Sequence, residues 1–113
     1  MRDFKFDYDE ENDDLFIYLD GAKSKGAVEI GNFVFDFDES ENLVAIEIFE
    51  ASGVFSKLLA KMIELTNIKE LKAEIINFRN MAAIQIKITT DSGNDTANIT
   101  IPCIKEDSPA LSY

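Results

Sequence analysis

The sequence contains no histidine and no tryptophan, and it has one cysteine and two prolines among its 113 residues. The absence of histidine removes the commonest general base and metal ligand at neutral pH. A lone cysteine cannot form an internal disulfide. Cys103 also follows Pro102 in an acidic chain, whereas a reactive thiolate needs electropositive surroundings. We therefore expect that the protein is not an enzyme, has no catalytic residue and needs no organic cofactor.

Long apolar runs and phosphate-binding loops are missing as well. No apolar stretch approaches the roughly 20 residues that a membrane-spanning helix needs. Met1-Arg2-Asp3 leads directly into a strand-like segment without the apolar region of a signal peptide. None of the five glycines belongs to a glycine-rich loop that precedes a helix. The sequence predicts a cytoplasmic location.

Negative charge dominates the composition. The 22 acidic residues outnumber the 11 basic ones, which gives a formal net charge of −11. Such a field repels nucleic-acid phosphates and anionic lipid headgroups, so we expect neither nucleic acid nor membrane as a partner. Cations or a basic protein surface are favoured, although the charge could also serve solubility alone. Abundant isoleucine, lysine and glutamate are typical of thermophile proteins.

Two similar segments in the first half of the chain predict β-hairpins. Apolar side chains alternate with polar ones in residues 4–8, and an acidic stretch then leads to the apolar run 15–19. The same order of aromatic strand, acidic turn and aliphatic strand recurs at 33–49. In particular, Phe6-Asp7-Tyr8-Asp9-Glu10 matches Phe35-Asp36-Phe37-Asp38-Glu39. Internal duplication and convergence on a good hairpin sequence both explain this match.

The rest of the chain predicts one helix followed by strands. Apolar residues at helical spacing indicate an amphipathic helix at about 51–66 with Ser52 as its N-cap. The stripe consists of Val54, Phe55, Leu58, Leu59, Met62 and Ile63. Alternation in 81–90 predicts a strand with one buried face, and Asp91 to Asp95 predicts a turn.

These elements define the expected fold. We predict an α+β protein in which a mostly antiparallel sheet of about seven or eight strands carries the helix packed on it. A single domain spans 1–113, with the double hairpin at 4–52, the helix at 52–66, C-terminal strands at 70–102 and a tail at 105–113. Because one helix covers one face, aromatic side chains on the other face are expected to form a homodimer interface. The candidates are Phe16, Tyr18, Phe33 and Phe49.

The acidic turns are the candidate metal site. Oxygen-bearing side chains at alternate positions of a loop can wrap a hard cation such as Ca²⁺. The ligands predicted in this way are Asp36, Asp38, Ser40, Asn42, Asp9, Glu11 and Asp13. Neither stretch has the glycine or the final glutamate of the helix–loop–helix calcium motif. The alternative is that these residues form turns and discourage aggregation at the sheet edge.

Glu47 stands between Ile46 and Ile48 in a predicted strand. A buried carboxylate at this position would have a raised pKa and could act as an acid or base. Strand alternation favours the other interpretation, in which Glu47 faces solvent on the outer side of the sheet or pairs with a lysine across the strands.

Residues 4–52 resemble a family of small archaeal and bacterial domains called domain of unknown function 2283. The first part of the family pattern is found at 8–17, and the second part is found at 36–48 and in Ala51-Ser52. The chain has Glu41 and Ala45 where the pattern has glycine. The resemblance implies the double-hairpin fold and assigns no activity.

Three functions remain open from the sequence. The first is a structural or protein-interaction module that binds another protein through its acidic face. The second is a divalent-cation binder that uses the acidic turns. The third is an antitoxin-like partner of a small basic protein, which an adjacent gene for such a protein would support.

Overall fold

A computed structural model of the chain describes residues 2–59, 61, 64–78 and 81–102. Within these residues, eight strands form one antiparallel sheet, which agrees with the predicted strand-rich α+β fold. The strands are β1 (Arg2–Asp9), β2 (Asp14–Tyr18), β3 (Gly26–Ile30), β4 (Phe33–Phe37), β5 (Leu43–Phe49), β6 (Glu70–Phe78), β7 (Met81–Thr90) and β8 (Gly93–Pro102). Their order in the sheet is β3-β4-β5-β2-β1-β6-β7-β8. The predicted tail at 105–113 and Cys103 lie outside the described residues.

The two predicted hairpins are neighbours in this sheet because β2 pairs with β5. Strand β1 joins them to the C-terminal strands by dividing its length between two partners. Arg2–Phe4 pairs with β6, while Lys5–Asp9 pairs with β2. A single strand therefore links the part of the sheet that contains the hairpins to the part that contains β6, β7 and β8.

Alternation along the strands produces one continuous apolar core on the inner face of the sheet. Ile84, Ile86 and Ile88 of β7 are almost completely buried, as their alternation with polar residues predicted. The same core cluster contains side chains from β1, β2, β4 and β5. Alternation fails at the β4–β5 pairing, where a bulge inserts Val44 between the partners of Asp36 and Phe37.

The helix is shorter than predicted. Helix α1 spans Ala51–Leu59, and a separate 3₁₀ turn occupies Leu65–Asn67. Leu65 is buried in the core, and Asn67 N donates to Glu64 O. This 3₁₀ turn replaces the predicted last helical turn. Of the predicted apolar stripe, Phe55 is fully buried and Leu58 is 41% exposed, while Met62 and Ile63 lie outside the described residues.

Candidate functional site

The turn between β4 and β5 is organised around Asp38. Its Oδ1 accepts hydrogen bonds from Ser40 N (2.8 Å) and Asn42 N (2.9 Å), and its Oδ2 accepts one from Asn42 Nδ2 (3.2 Å). These bonds, led by the one from the Asn42 backbone, lower the pKa of Asp38. Glu41 adopts a φ of 63°, which is the left-handed conformation that the family glycine would adopt more easily.

The turn between β1 and β2 uses Asp9 in the same way. Asp9 Oδ2 accepts from Asn12 Nδ2 (2.7 Å), while Oδ1 accepts from the backbone N–H groups of Glu11 (3.1 Å) and Asn12 (3.2 Å). The side-chain bond from Asn12 contributes most to a lowered pKa of Asp9. Each acidic turn therefore holds an aspartate whose oxygens already accept N–H donors from the turn itself.

The other predicted cation ligands lie in different places. Asp36 is on the outer face of β4, opposite Ala45 and Ala27, where burial raises its pKa despite a hydrogen bond with Ser24. Glu11 is exposed, and Asp13 turns toward α1. Among the described residues, no three acidic side chains converge in a metal-binding arrangement. The predicted cation site stays a prediction.

Asp13 connects the first hairpin to the start of the helix. Its carboxylate accepts hydrogen bonds from Ser52 N (3.0 Å), Ser52 Oγ (2.7 Å) and Tyr8 OH (2.6 Å). Burial acts to raise the pKa of Asp13, but the bonds from Tyr8 and Ser52 together lower it. Burial and the bond to Asp13 raise the pKa of Tyr8 to about 12. Asp13 thus stabilises the first turn of a helix that lies 39 residues away in the sequence.

The prediction that Ser52 is the N-cap is therefore wrong. Glu50 precedes the helix with a φ of 54°, and its carbonyl accepts the first helical hydrogen bond, from Val54 N. Ser52 lies within the first turn and donates to Asp13. Tyr8, Asp13 and Ser52 all lie within the residues that resemble the family, but local sequence patterns did not indicate that they contact one another.

Aromatic and acidic side chains lie side by side on the outer face of β2 and β5. Asp14 is opposite Phe49 and Phe16 is opposite Glu47, so rings and carboxylates alternate across the two strands. The Phe16 and Tyr18 rings stack with their centroids 5.1 Å apart and their planes at 19°. We call Asp14, Phe16, Tyr18, Glu47 and Phe49 the outer-face cluster.

The cluster exposes much of its apolar surface. Phe16 and Phe49 are each 41% exposed, as expected for the face opposite the core, and Tyr18 is half-buried. Phe33, the fourth aromatic candidate, instead packs against the core and stacks on Phe35 at 5.5 Å. The inward direction of Phe33 follows from its pairing with Ile48, which belongs to the inner face.

Among the described residues, neither carboxylate of the cluster forms an ion pair. Burial, followed by a hydrogen bond with the Asp14 carboxyl and the charge of that group, raises the pKa of Glu47, and Asp36 adds to this effect. Within the same residues, Asp14 Oδ1 is buried and has no hydrogen-bond partner. Lys5 is opposite Tyr18 in the pairing, but its ammonium group pairs with Asp20 at 2.9 Å. Glu47 thus faces outward, as alternation predicted, and also has a raised pKa.

Comparison with known proteins identifies the family. Residues 5–52 match the family model described as a protein of unknown function, DUF2283. Residues 5–52 of the chain belong to this family. The matched region includes the Asp13 contacts with Tyr8 and Ser52 and the whole outer-face cluster, whereas β6, β7 and β8 lie beyond it.

Two relatives are similar over a larger part of the chain. A protein of Methanocaldococcus jannaschii, named only as uncharacterized, is 38% identical over an alignment of 76 residues that covers 64% of this chain and 66% of that protein. A Methanosarcina mazei protein with the provisional name of hypoxanthine phosphoribosyltransferase is 33% identical over 90 residues. This match covers 80% of the chain and 71% of the relative. The chain thus spans just under two thirds of the first relative. No solved structure matches.

The described helices are short. Within the part of the chain that the structure covers, none is long and apolar enough to cross a membrane.

Proposed function

We propose that the protein is a non-enzymatic interaction module that binds a basic protein through the outer face of its sheet. The observation that supports this proposal is the outer-face cluster, where exposed phenyl rings lie beside the carboxylates of Asp14 and Glu47. Apolar surface supplies the free energy of association, and unneutralised acids select a partner of opposite charge. The formal net charge of −11 would speed the encounter with such a partner and oppose contact with nucleic acid or anionic membranes.

The opposite face of the sheet carries the core cluster. Ala51 and Phe55 of α1 are fully buried and belong to the same core cluster as the inner side chains of the strands. We infer that α1 covers the inner face, which is the packing expected from the amphipathic stripe. The outer face would then be left for a partner.

A second copy of the chain is the competing occupant of this face. A two-fold dimer would bring Asp14 and Glu47 of one protomer toward the same acids of the other, which opposes association. We therefore favour a basic partner over the predicted homodimer. Sedimentation at micromolar concentration tests this choice. A dimer that persists when Phe16 and Phe49 are both changed to serine would not use the outer face.

The proposal is tested by neutralising two acids in the cluster and two elsewhere. The variant Asp14→Asn/Glu47→Gln and the control Glu39→Gln/Asp91→Asn remove the same charge. The control residues form exposed ion pairs with Lys25 and Lys69. We expect a fluorescent Arg- and Lys-containing peptide to lose most of its affinity for the first variant and little for the control. Equal losses would mean that the net charge alone attracts the peptide.

An assay of enzymatic activity addresses the other part of the proposal. The provisional name of the Methanosarcina mazei relative supplies the reaction to test. The purified protein, incubated with hypoxanthine, a phosphoribosyl donor and Mg²⁺, is expected to form no nucleotide. Steady product formation that increases with protein concentration would overturn the non-enzymatic proposal.

Divalent-cation binding is the second candidate, and the similar construction of the two acidic turns favours it. In each turn one aspartate accepts hydrogen bonds from backbone and amide N–H groups, so its carboxylate is held in place and a cation would compete with these donors for its oxygens. This candidate predicts that millimolar Ca²⁺ raises the melting temperature or shifts the amide resonances of residues 36–42. If neither changes, the cation hypothesis fails, and the protein-interaction proposal is unaffected.

An antitoxin-like role is a special case of the main proposal. The partner would then be a small basic protein whose activity the acidic chain blocks. The test expresses a small basic protein encoded by an adjacent gene and measures whether it inhibits growth. Relief of this inhibition by the wild-type chain and not by Asp14→Asn/Glu47→Gln would support this role. Equal relief by both forms would exclude the outer face from it.

A further inference from the structure

We propose that the outer-face cluster is a binding site for an arginine side chain of the basic partner. The guanidinium group would lie on the open face of the Phe16 ring and donate hydrogen bonds to the carboxylates of Asp14 and Glu47. This inference rests on the proposed function, because it specifies the group that the basic partner presents.

The stacking of Phe16 determines where a planar cation can lie. Tyr18 covers one face of the Phe16 ring, with the two planes only 19° apart. The opposite ring face is therefore directed along β2 toward Asp14, two residues earlier on the same side of the strand. Phe16 is 41% exposed, so solvent and a partner can reach it. An aromatic ring face attracts a cation through its quadrupole.

The acids beside this ring face are placed to receive N–H donors. Asp14 is diagonal to Glu47 across the β2–β5 pairing, and the two carboxyl groups are close enough to hydrogen-bond to each other. A guanidinium group has five N–H donors in one plane and can bridge two such neighbouring carboxyl groups. Among the described residues, Asp14 Oδ1 has no hydrogen-bond partner; because this atom is buried, the Asp14 side chain would turn to meet a donor from the ligand.

The surroundings of the cluster favour a cation from outside the chain. Asp7 lies opposite Phe16 on β1, and Asp36 lies opposite Ala45 on β4, so both flanking strands add negative charge. Lys5, which also faces outward on β1, is held by Asp20. Phe49, opposite Asp14, is a further apolar neighbour that strengthens hydrogen bonds by excluding water.

Arginine fits this arrangement better than lysine or a metal ion. The lysine ammonium group is compact and strongly hydrated, and it has no planar face to stack on a ring while donating to both carboxyl groups. A hard metal ion needs several oxygen ligands at short distances and gains nothing from phenyl rings. The alternation of rings with acids therefore selects a planar cation.

Two peptides of equal charge provide the test. One contains four arginines separated by serines, and the other has lysine at the same four positions. Fluorescence anisotropy in 150 mM salt is expected to show the arginine peptide binding the wild-type protein about fivefold to tenfold more tightly. Phe16→Leu keeps an apolar side chain but removes the ring face, so it is expected to abolish the preference.

The control variant is Leu58→Ala. It removes a side chain with the same 41% exposure from α1 and should leave the preference unchanged. Glu47→Gln keeps the side-chain shape and should weaken arginine binding more than lysine binding. It provides a second measurement if Phe16→Leu proves unstable in a thermal melt.

The outcomes separate the two proposals. Suppose that the wild-type protein binds both peptides with equal affinity and that Asp14→Asn/Glu47→Gln binds neither. This result would overturn the arginine site and leave the outer face as the docking surface. If none of these substitutions alters the affinity for either peptide, the arginine site and the outer-face proposal are both overturned.

Discussion

Replacing Asp13 with glycine is expected to lower the free energy of unfolding by about 2–4 kcal/mol. The side chain accepts three hydrogen bonds, two from Ser52 and one from Tyr8. Removal of a helix-capping carboxylate costs about 1–2 kcal/mol. A further 1–2 kcal/mol, roughly, comes from leaving the Tyr8 hydroxyl without its charged acceptor.

Glycine is the informative replacement because Asp13 has a φ of 54°. Glycine adopts this conformation without strain, which stabilises the folded state by about 1 kcal/mol relative to another residue. Glycine also increases the backbone entropy of the unfolded chain, which stabilises the unfolded state by about 0.4–1 kcal/mol. The two backbone effects therefore largely cancel. Glu50→Gly is the matched control, because Glu50 also has a φ of 54° and, among the described residues, its side chain has one hydrogen bond, an exposed one accepted from Asn32 Nδ2 at 3.3 Å.

The assay is equilibrium unfolding in urea at pH 7 and at lower pH values. The hydrogen bonds of Asp13 lower its pKa in the folded state. The stability that Asp13 contributes is therefore complete above the pKa of the unfolded chain, about 3.9, and is lost as the pH falls through the lower pKa of the folded state. The difference between wild type and Asp13→Gly should therefore shrink below about pH 4. A loss of less than about 1 kcal/mol at pH 7, or one equal to that of Glu50→Gly, would refute the reasoning.

Two further substitutions test the core and the outer face. Phe55→Ala should lower the free energy of unfolding by about 3–5 kcal/mol in urea denaturation, because Phe55 is fully buried, whereas Leu58→Ala should change it by less than about 1 kcal/mol. Equal effects would contradict the assignment of the buried helix face. Burial beside Asp14 raises the pKa of Glu47 in the folded state. The free energy of unfolding therefore decreases as the pH rises through this raised pKa. Glu47→Gln should therefore increase stability at pH 7 and have little effect below pH 4, and a loss at pH 7 would contradict this account.

Local sequence patterns predicted most of the secondary structure. The alternation of Ile84, Ile86 and Ile88 with polar residues was sufficient to locate β7 and its buried face. The acidic stretches marked the hairpin turns, because aspartate and asparagine hydrogen-bond to nearby backbone groups. Asp9 and Asp38 form such turns. These features depend on residues close together in the chain.

Features that depend on tertiary contacts were not predictable in this way. Periodicity extended the helix to residue 66, but burial of Leu65 accompanies a separate 3₁₀ turn. Asp13 was grouped with the turn acids, whereas its carboxylate contacts Ser52, 39 residues later. The outer-face cluster requires the pairing of β2 with β5, since only the register places Phe16 beside Glu47. Strand order and register were not available from local patterns.

The most direct test of partner binding is an amide chemical-shift titration of the labelled protein with the arginine peptide. The account predicts that the largest and saturable shifts occur in β2 and β5, at residues 14–18 and 45–49, with those of Phe16 and Glu47 among the first to move. Shifts concentrated in the acidic turns at 9–13 and 38–42, with β2 and β5 unchanged, would contradict it.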